Sequence, residues 1–414
     1  PELLGVVRRE VHARRSATVQ AAIRNPAAPP LQGERTRRPL VLAVDVPSGL
    51  DSDTGAIDVC ALLADLTVTL AYPKRGQYAF PGGEHVGELL VADIGIDPAL
   101  ASDLPDEVAD AQVVATLLPK RPAASHKGTY GKALIVAGST NYVGAPCLAA
   151  EGAYRVGAGL VTLAVPEVIH PMVAAKVTET TFLVLPHDMG ALVPDALPVL
   201  APQMKDYQAL LVGPGLGRDP KTRELVAEML ARKGARRRPI GFAPTPSPEE
   251  EPLSLPPLVV DADALNLLAE IDGWWEHLPA PAILTPHPGE MARLTRSSVD
   301  AIQRDRLTAA REAASRWGQV VVLKGAYTVV ATPEGAVTVI PFANAALATA
   351  GTGDVLAGAI VGFLAQGLAA RDAAVCGAYL HGLAGEMWSR RRARAGMLAG
   401  DLLALLPEAL AALS

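Results

Sequence analysis

A glycine-rich segment runs directly into an apolar stretch at residues 348–360, ATAGTGDVLAGAI. Gly351 and Gly353 allow backbone N–H groups to approach an anion closely, and a helix that begins near Asp354 adds the positive end of its dipole. Asp354 would then lie beside a bound phosphate, where a carboxylate can take the proton of a hydroxyl group that is being phosphorylated. The alternative is a tight glycine turn with Asp354 as the helix N-cap.

Five further polar motifs end predicted strands: VAGST, VGPGLGRD, VDADALN, TPHPGE and LKGAYT. Ligands of open α/β sheets bind beyond the carboxyl ends of the strands, so these motifs predict one shared site. Lys324, or the pair His126 and Lys127, could donate to a transferring phosphoryl group.

Three carboxylates in these motifs, Glu290, Asp261 and Asp263, are candidates for holding Mg²⁺ or its waters, because Mg²⁺ favours few carboxylates together with phosphate. The alternative for Asp261 and Asp263 is that they cap the helix that follows them. The alternative for His287 is a turn histidine that is bonded to the backbone.

The elements that would position these residues alternate regularly after residue 131. Strands are predicted at 132–139, 159–166, 209–215, 257–263, 282–288 and 320–325, with helices at 145–156, 221–233, 264–270 and 298–317. A hairpin is predicted at 327–341, and a Pro-rich solvated loop at 234–257. This alternation predicts a three-layer αβα sandwich with a mostly parallel sheet.

The first hundred residues follow a different pattern. Short strands are predicted at 40–49, 64–72 and 87–95, after a basic stretch with one helical pattern at 16–23, and residues 98–111 suggest a linker. We therefore expect two domains, at residues 1–104 and 105–414, the first a partial Rossmann-like α/β fragment whose first half is missing.

The bulk composition excludes several classes of protein. The 414 residues have a net charge of −6, without the basic surplus of a nucleic-acid-binding protein. Three widely spaced cysteines suggest buried free thiols. We see neither a membrane span nor a secretory signal, so a cytoplasmic protein is expected.

Seven motifs together resemble the ADP/ATP-dependent NAD(P)H-hydrate dehydratase family, a branch of the ribokinase-like fold: HKGTYGKALIVAGS, GAGLVTLAVPE, GPGLGRD, VVDADALN, LTPHPGEMARL, VVLKGAYTVVA and NAALATAGTGDVLAGAI. The resemblance runs from about residue 111 to the end of the chain. It implies that the 6-hydroxyl group of (S)-NADHX or NADPHX is phosphorylated and then eliminated to restore NADH or NADPH. It also implies ADP as the phosphoryl donor, with ATP possible, release of AMP and phosphate, and a homo-oligomer.

The resemblance also assigns residues by position. It places the hydrated nicotinamide against Gly144, Ala145, Gly215, His287 and Asp354. The residues that it places against the nucleotide are Lys324, Gly325, Ala326, Tyr327, Thr328, Asn344, Thr349, Ala350, Gly351, Thr352 and Gly353.

The amino-terminal part resembles the latter half of an NAD(P)H-hydrate epimerase domain, in VLAVDVPSGLDSDTGA and ADLTVTLAYPKRGQYAFPGGEHVGELLVADIGI. This resemblance implies that Asp45 contacts substrate and that Ser48 helps to hold K⁺. An NNGGDG-type loop, which binds K⁺ and the phosphates of the substrate in that family, does not occur in these 414 residues. We therefore expect damaged or absent epimerase activity.

Two other functions remain open on the motifs alone. A ribokinase-like kinase of a small hydroxylated metabolite would share the fold and the hydroxyl base, although TPHPGE, HKGTYGK and KGAYT favour the dehydratase. The other is a nucleotide-binding regulator without turnover. A retained phosphorylated product would identify the kinase, and binding without any product would identify the regulator.

Overall fold

The computed structural model describes residues 6–9, 11, 39–230, 253–279 and 281–413. The chain divides into two compact units, Pro1–Leu104 and Pro105–Ser414. The helical pattern expected at 16–23 and residues 234–252 of the expected Pro-rich loop lie outside the described residues.

The first unit contains a parallel sheet of three strands in the order in which they occur along the chain. They are β1 (Leu42–Val44), β2 (Leu66–Leu70) and β3 (Glu88–Ala92). All three expected strands are confirmed, and each is shorter than expected.

The second unit is built on a ten-stranded sheet and a small two-stranded ribbon. Its strands are β4 (Asp106–Val108), β5 (Lys132–Val136), β6 (Leu160–Pro166), β7 (Thr181–Leu185), β8 (His187–Asp188), β9 (Ala191–Leu192), β10 (Ala209–Val212), β11 (Leu258–Val260), β12 (Ile283–Leu284), β13 (Val320–Leu323), β14 (Val329–Ala331) and β15 (Val337–Val339). The order in the large sheet is β4-β15-β14-β13-β12-β11-β10-β5-β6-β7, and only β14 runs antiparallel to its neighbours.

Helices cover both faces of this sheet, so the expected three-layer fold is confirmed. They are α1 (Ala111–Leu117), α2 (Gly144–Arg155), α3 (His170–Ala174), α4 (Leu197–Leu200), α5 (Pro220–Leu230), α6 (Asp263–Leu268), α7 (Pro288–Thr295), α8 (Val299–Arg304), α9 (Arg306–Trp317), α10 (Thr352–Ala365), α11 (Ala370–Arg391) and α12 (Ala399–Ala411). Every residue of β10 and of β13 is buried, as expected for parallel strands that are covered on both sides.

Three expectations about the elements were wrong. The expected linker contains β4, which pairs in parallel with β15, so this segment belongs to the sheet. The helix expected at 298–317 is two helices, because Asp305 leaves helical geometry and accepts a hydrogen bond from the N–H of Thr308 at 3.0 Å, which caps α9. The edge strand β7 was missed, since its residues are only partly buried and show no regular alternation.

Two helices of one face, α2 and α10, approach each other unusually closely. A Cβ on Gly358 would lie 2.1 Å from the carbonyl oxygen of Ala149, and a Cβ on Gly152 would lie 2.7 Å from that of Val355. Only glycine permits this separation. The contact fixes α2 against α10.

The described residues include no helix long and apolar enough to cross a membrane. Cys147 and Cys376 are buried free thiols as expected, whereas Cys60 is only partly buried.

Candidate active site

The strand order reverses between β5 and β10, because β6 and β7 extend the sheet on one side of β5 and β10 to β13 extend it on the other. Such a reversal leaves a crevice beyond the carboxyl ends of the two strands. The turns after these strands are joined: the N–H of Gly138 donates to the carbonyl of Pro214 at 2.8 Å, and the Ser139 hydroxyl donates to that of Gly215 at 2.9 Å. The crevice therefore has a rigid floor.

Three residues expected at the substrate lie together at this crevice. Gly215 has a φ of +66°, and a Cβ there would lie 2.9 Å from the Cβ of Ala145. Gly144 and Ala145 are the first two residues of α2. The close contact explains why this position is glycine, since any side chain would push α2 away.

A buried charged cluster lies beyond β11 and β13. The Lys324 ammonium nitrogen is 2.6 Å from Asp261 Oδ1 and 3.7 Å from Glu290 Oε2. Thr285 also donates its hydroxyl to Asp261 Oδ1, at 2.6 Å. Asp261, Thr285 and Lys324 follow three adjacent strands, so the parallel sheet brings them to one edge.

Burial and mutual repulsion set the protonation of this cluster. Burial lowers the pKa of Lys324, but Asp261 and Glu290 more than offset it and hold that pKa above its ordinary value. Burial raises the pKa of Glu290 to about 7; Lys324 opposes this shift and Asp261 adds to it. Glu290 is therefore partly protonated near neutral pH.

Asp354 lies in the first turn of α10, where the charges of Asp261, Glu290 and Lys324 shift its pKa. The helix begins at Thr352, and its N-cap is Gly351 with a φ of +90°, so Asp354 is not the N-cap that the alternative interpretation required. Burial raises the pKa of Asp354 to about 7, and Asp261 adds to the rise while Lys324 opposes it. A Cβ on Gly353 would lie 3.7 Å from the Lys324 nitrogen, so the lysine reaches this turn.

His287 caps α7, as its backbone-bonded alternative predicted, and its ring also faces Glu290. Its Nδ1 accepts from the N–H groups of Gly289 at 3.0 Å and Glu290 at 3.4 Å, while Glu290 Oε2 accepts from the N–H of His287 at 2.8 Å. Burial, followed by the charges of Lys324 and Arg293, lowers the pKa of His287. Because Nδ1 accepts, the neutral ring presents Nε2–H as a donor, 3.4 Å from Glu290 Oε1.

The segment 324–328 turns sharply after β13. Gly325 has a φ of +140°, Tyr327 a φ of +52°, and the N–H of Tyr327 donates to the carbonyl of Phe342 at 2.8 Å. Ala326 and Thr328 complete this turn, and the Thr328 hydroxyl donates to the carbonyl of Gly325 at 2.9 Å. The turn therefore places segment 324–328 against the residues that follow β15.

Arg306 is a residue of this region that the sequence analysis missed. Its guanidinium donates to the carbonyls of Leu323 at 2.9 Å and Lys324 at 3.1 Å. Burial lowers the pKa of Arg306 to about 10. Arg306 lies in a stretch whose residue types are typical of a solvent-exposed helix. Nothing in the local pattern therefore indicated that its side chain is buried.

The segment from Asn344 to Gly353 leads into α10. The Thr352 hydroxyl lies 2.9 Å from the carbonyl oxygens of both Leu347 and Thr349, which closes this turn. Ala350 and Gly351 follow directly, so the nucleotide-binding residues expected here adjoin the first turn of α10.

The helix-capping alternative for Asp261 and Asp263 was wrong. Asp263 Oδ2 accepts from the N–H of Gly217 at 2.9 Å, and the N-cap position of α6 is Ala262, with a φ of +51°. Asp263 therefore holds the glycine turn that follows β10.

The described residues contain no group of three or more His, Cys, Asp or Glu side chains arranged to hold a metal ion. Mg²⁺ is commonly held by one or two carboxylates together with waters and substrate phosphates. Asp261 Oδ2 is buried and has no hydrogen-bond partner in the described part of the chain. The donor set therefore fits an ion that binds together with a nucleotide.

His126 and Lys127 do not belong to this site, and that expectation was wrong. They precede β5, at the amino end of a strand, whereas the site is at the carboxyl ends. A Cβ on the nearby Gly131 would touch the carbonyl of Ala365, the last residue of α10, whose first turn holds Asp354. The two residues thus lie at the opposite end of that helix.

In the first unit, Asp45 follows β1 with a φ of +66°. Its carboxylate accepts from the N–H of Leu70 at 3.0 Å and pairs with the Lys74 ammonium. Hydrogen bonds from Lys74 and Leu70 lower the pKa of Asp45. Ser48 lies in an exposed turn three residues further on.

Comparison with known proteins agrees with both units. A sequence model of the NAD(P)H-hydrate dehydratase family matches residues 133–238 and 248–408, and a model described as YjeF-related protein N-terminus matches residues 3–76. The bifunctional NAD(P)H-hydrate repair enzyme Nnr of Moorella thermoacetica is 44% identical over 372 residues, which are 89% of this chain and 66% of that protein. The same-named protein of Thermofilum pendens is 38% identical over 375 residues, 90% of this chain and 67% of its own length. The chain thus spans about two thirds of the length of these relatives.

Solved structures agree with the fold of the second unit. An ADP/ATP-dependent NAD(P)H-hydrate dehydratase from Bacillus subtilis, co-crystallized with ATP/Mg²⁺, has a TM-score of 0.60 and 31% identity, and the match covers 74% of this chain and 99% of that one. A ribokinase-like superfamily protein from Enterococcus faecalis, 23% identical, matches the same fold with a TM-score of 0.60, over 75% of this chain and 97% of its own.

The three-layer sandwich, with its glycine-rich helix start beside the partly buried Asp354, gives the second unit the ribokinase-like fold. Within that class the family match is specific. The chain belongs to the NAD(P)H-hydrate dehydratase family. The comparisons favour the dehydratase interpretation over that of a small-molecule kinase.

Proposed function

We propose that the second unit catalyses the ADP-dependent dehydration of (S)-NADHX or (S)-NADPHX, with release of AMP and phosphate. The observation that supports this proposal most is Asp354, a partly buried carboxylate with a pKa of about 7 in the first turn of α10. Family membership and the ATP/Mg²⁺ co-crystallized with the Bacillus subtilis protein support the choice of substrate and nucleotide.

Asp354 takes the proton of the 6-hydroxyl group. The hydroxyl oxygen forms a bond to the β-phosphorus of ADP as the bond from that phosphorus to AMP breaks. Phosphate then leaves C6 and a proton leaves C5, so that the C5–C6 double bond of NADH is restored. A base with a pKa near the working pH is best suited to the first step, because it is largely ionised and still basic.

The moving phosphoryl group is bound by the N–H groups of the turn that contains Gly351 and Gly353 and by the ammonium of Lys324. Asp261 and Glu290 are the residues that would hold Mg²⁺, directly or through waters. When bound there, Mg²⁺ neutralises phosphate charge. Segments 324–328 and 344–350 bind the remainder of the nucleotide.

The hydrated nicotinamide lies at Gly144, Ala145 and Gly215, where α2 meets the turn after β10. His287 orients it through Nε2–H, because Nδ1 accepts the capping hydrogen bonds of α7 and carries no proton. This assignment makes His287 a hydrogen-bond donor to the substrate. It cannot act as a base while its Nδ1 caps α7.

The test is to incubate the protein with (S)-NADHX, Mg²⁺ and either ADP or ATP, and to follow the absorbance band of NADH. We expect NADH to form with ADP, and the Asp354→Asn variant to lose about 10²–10⁴-fold in kcat. An Asp300→Asn variant is the control, because Asp300 is an exposed carboxylate. Absence of NADH with either nucleotide, from folded protein, would contradict the proposal, and a retained phosphorylated product would identify a kinase.

For the first unit, we propose that Asp45 and Ser48 are the remaining substrate and K⁺ residues of an epimerase domain. The match to the YjeF-related N-terminus supports this assignment. Lys74 neutralises Asp45, so the carboxylate is held ionised in the described structure.

A further inference from the structure

One face of α11 lies against residues 342–352, the segment that leads into α10. We call it the α11 stripe: it consists of His381, Gly382, Gly385, Glu386 and Ser389. Residues four apart lie on the same side of a helix, so the stripe is continuous over two turns. No part of the proposed mechanism uses it.

The two glycines of the stripe allow the segment to lie directly on the helix. A Cβ on Gly382 would lie 2.3 Å from the ring of Phe342, and a Cβ on Gly385 would lie 2.8 Å from Leu347. Both contacts are too short for any other residue. The segment is therefore seated at two points on either side of Asn344.

Asn344 is held between these two points by the polar members of the stripe. Its Nδ2 donates to the carbonyl of Gly385 at 3.0 Å and to Glu386 Oε1 at 2.9 Å, while the Ser389 hydroxyl donates to its Oδ1 at 3.0 Å. Burial and the charge of Glu386 also raise the pKa of Tyr327, which places Glu386 near the turn after β13. The stripe thus contacts or approaches both nucleotide-binding segments.

His381 holds the end of the segment. Its Nε2 lies 3.0 Å from the carbonyl oxygen of Thr352, the first residue of α10. A carbonyl only accepts, so Nε2 carries the proton. Burial lowers the pKa of His381 to about 4, so the ring remains a neutral donor.

We propose that His381 is a positioning residue for the nucleotide: it fixes the first turn of α10 so that the N–H groups around Gly353 converge on the terminal phosphate of ADP. The inference rests on the proposed function, because it concerns the same nucleotide site. Thr352 is adjacent to both glycines of the turn and two residues from Asp354. Loss of the donor removes the hydrogen bond that ties the Thr352 carbonyl to α11, so the first turn of α10 is free to shift.

The test compares His381→Leu, which removes the donor, with His381→Gln, whose amide nitrogen can replace Nε2–H. ADP binding is measured by calorimetry with Mg²⁺, together with kcat and the KM values for ADP and NADHX. We expect the leucine variant to bind ADP about tenfold more weakly, with a raised KM for ADP and an unchanged KM for NADHX. The glutamine variant should recover most of this loss.

Cys376→Ala is the matched control, since Cys376 is buried in the same helix and lies in the hydrophobic core. If His381→Leu does not fold, His381→Phe replaces it, because phenylalanine keeps a ring at this position and lacks the donor; it should also weaken ADP binding. Wild-type affinity for ADP in a folded His381→Leu or His381→Phe variant would overturn the inference. Wild-type protein that binds ADP but forms no NADH contradicts the proposed function alone, whereas failure to bind ADP overturns both.

Discussion

Lys324 and Asp261 form a buried ion pair, with 2.6 Å between the ammonium nitrogen and Oδ1, at the ends of two strands separated by β12. The single ammonium group faces Asp261, Glu290 and Asp354. Burial raises the pKa of Glu290 and of Asp354 to about 7, Asp261 adds to both shifts, and the one ammonium group only partly opposes them. Glu290 and Asp354 are therefore the carboxylates of this cluster that can exchange protons near neutral pH.

Replacing Lys324 by Met should destabilise the protein by about 3–5 kcal/mol, because Asp261 is then buried without its partner. The double variant Lys324→Met, Asp261→Asn should recover most of that stability, since the uncompensated charge is gone. Neither variant should bind ADP well. Urea unfolding and calorimetry measure the two effects separately. Equal stability of the single and double variants would show that the pair contributes no such coupling.

Activity should depend on pH through Asp354. A base with a pKa of about 7 is protonated below that pH, so kcat/KM should fall about tenfold per pH unit on the acid side and level off above neutrality. The measurement is initial rate against pH at low substrate concentration, with the affinity for ADP followed over the same range. A rate that stays constant down to pH 5 would remove Asp354 from the role of base.

The contribution of Glu290 to the stability of the protein should decrease as the pH rises from 4.5 to about 7. Glu290 has a pKa of about 7 in the folded chain and 4.5 as its ordinary value, so the folded state holds an extra proton between these values. The proton is lost as pH rises, and with it about 1–3 kcal/mol of unfolding free energy. Glu290→Gln cannot lose that proton and should show a flatter dependence on pH in urea unfolding. An unchanged slope in the variant would contradict the prediction.

Arg306→Met should raise the KM for ADP about tenfold and lower stability by about 2–3 kcal/mol, because two carbonyls next to the nucleotide-binding turn lose their donor. Steady-state kinetics at saturating NADHX gives the KM value. Arg304→Met is the control, as Arg304 is an exposed arginine of the preceding helix. Equal KM values for ADP in the two variants would show that Arg306 contributes to packing and not to ADP binding.

For the first unit, we expect that the 414-residue chain does not convert (R)-NADHX to the S epimer faster than the spontaneous reaction. The reason is that the sequence contains no NNGGDG-type loop to hold K⁺ and the phosphates of the substrate. The assay supplies pure R epimer with ADP and Mg²⁺, without added epimerase. Turnover above the spontaneous rate would show that these residues suffice.

Local sequence determined the strands and helices well where the apolar pattern was long. It failed at Asp305, where one residue both ends α8 and caps α9, and at β4, whose three residues form a strand only because β15 offers an edge for pairing. Patterns along the chain contain no information about a pairing partner that lies 231 residues away.

By itself the sequence determined the αβα fold, the glycine turn at 351–353 with Asp354, and the family, because these depend on residue types at short spacing. Only the tertiary structure decided which charges meet. It paired Lys324 with Asp261 and placed His126 and Lys127 at the amino edge of the sheet, away from the site. It also set Arg306 against the Lys324 carbonyl and His381 against the Thr352 carbonyl. The physical reason is that hydrogen bonds and pKa values depend on distance and burial, which arise only when strands far apart in the chain lie side by side.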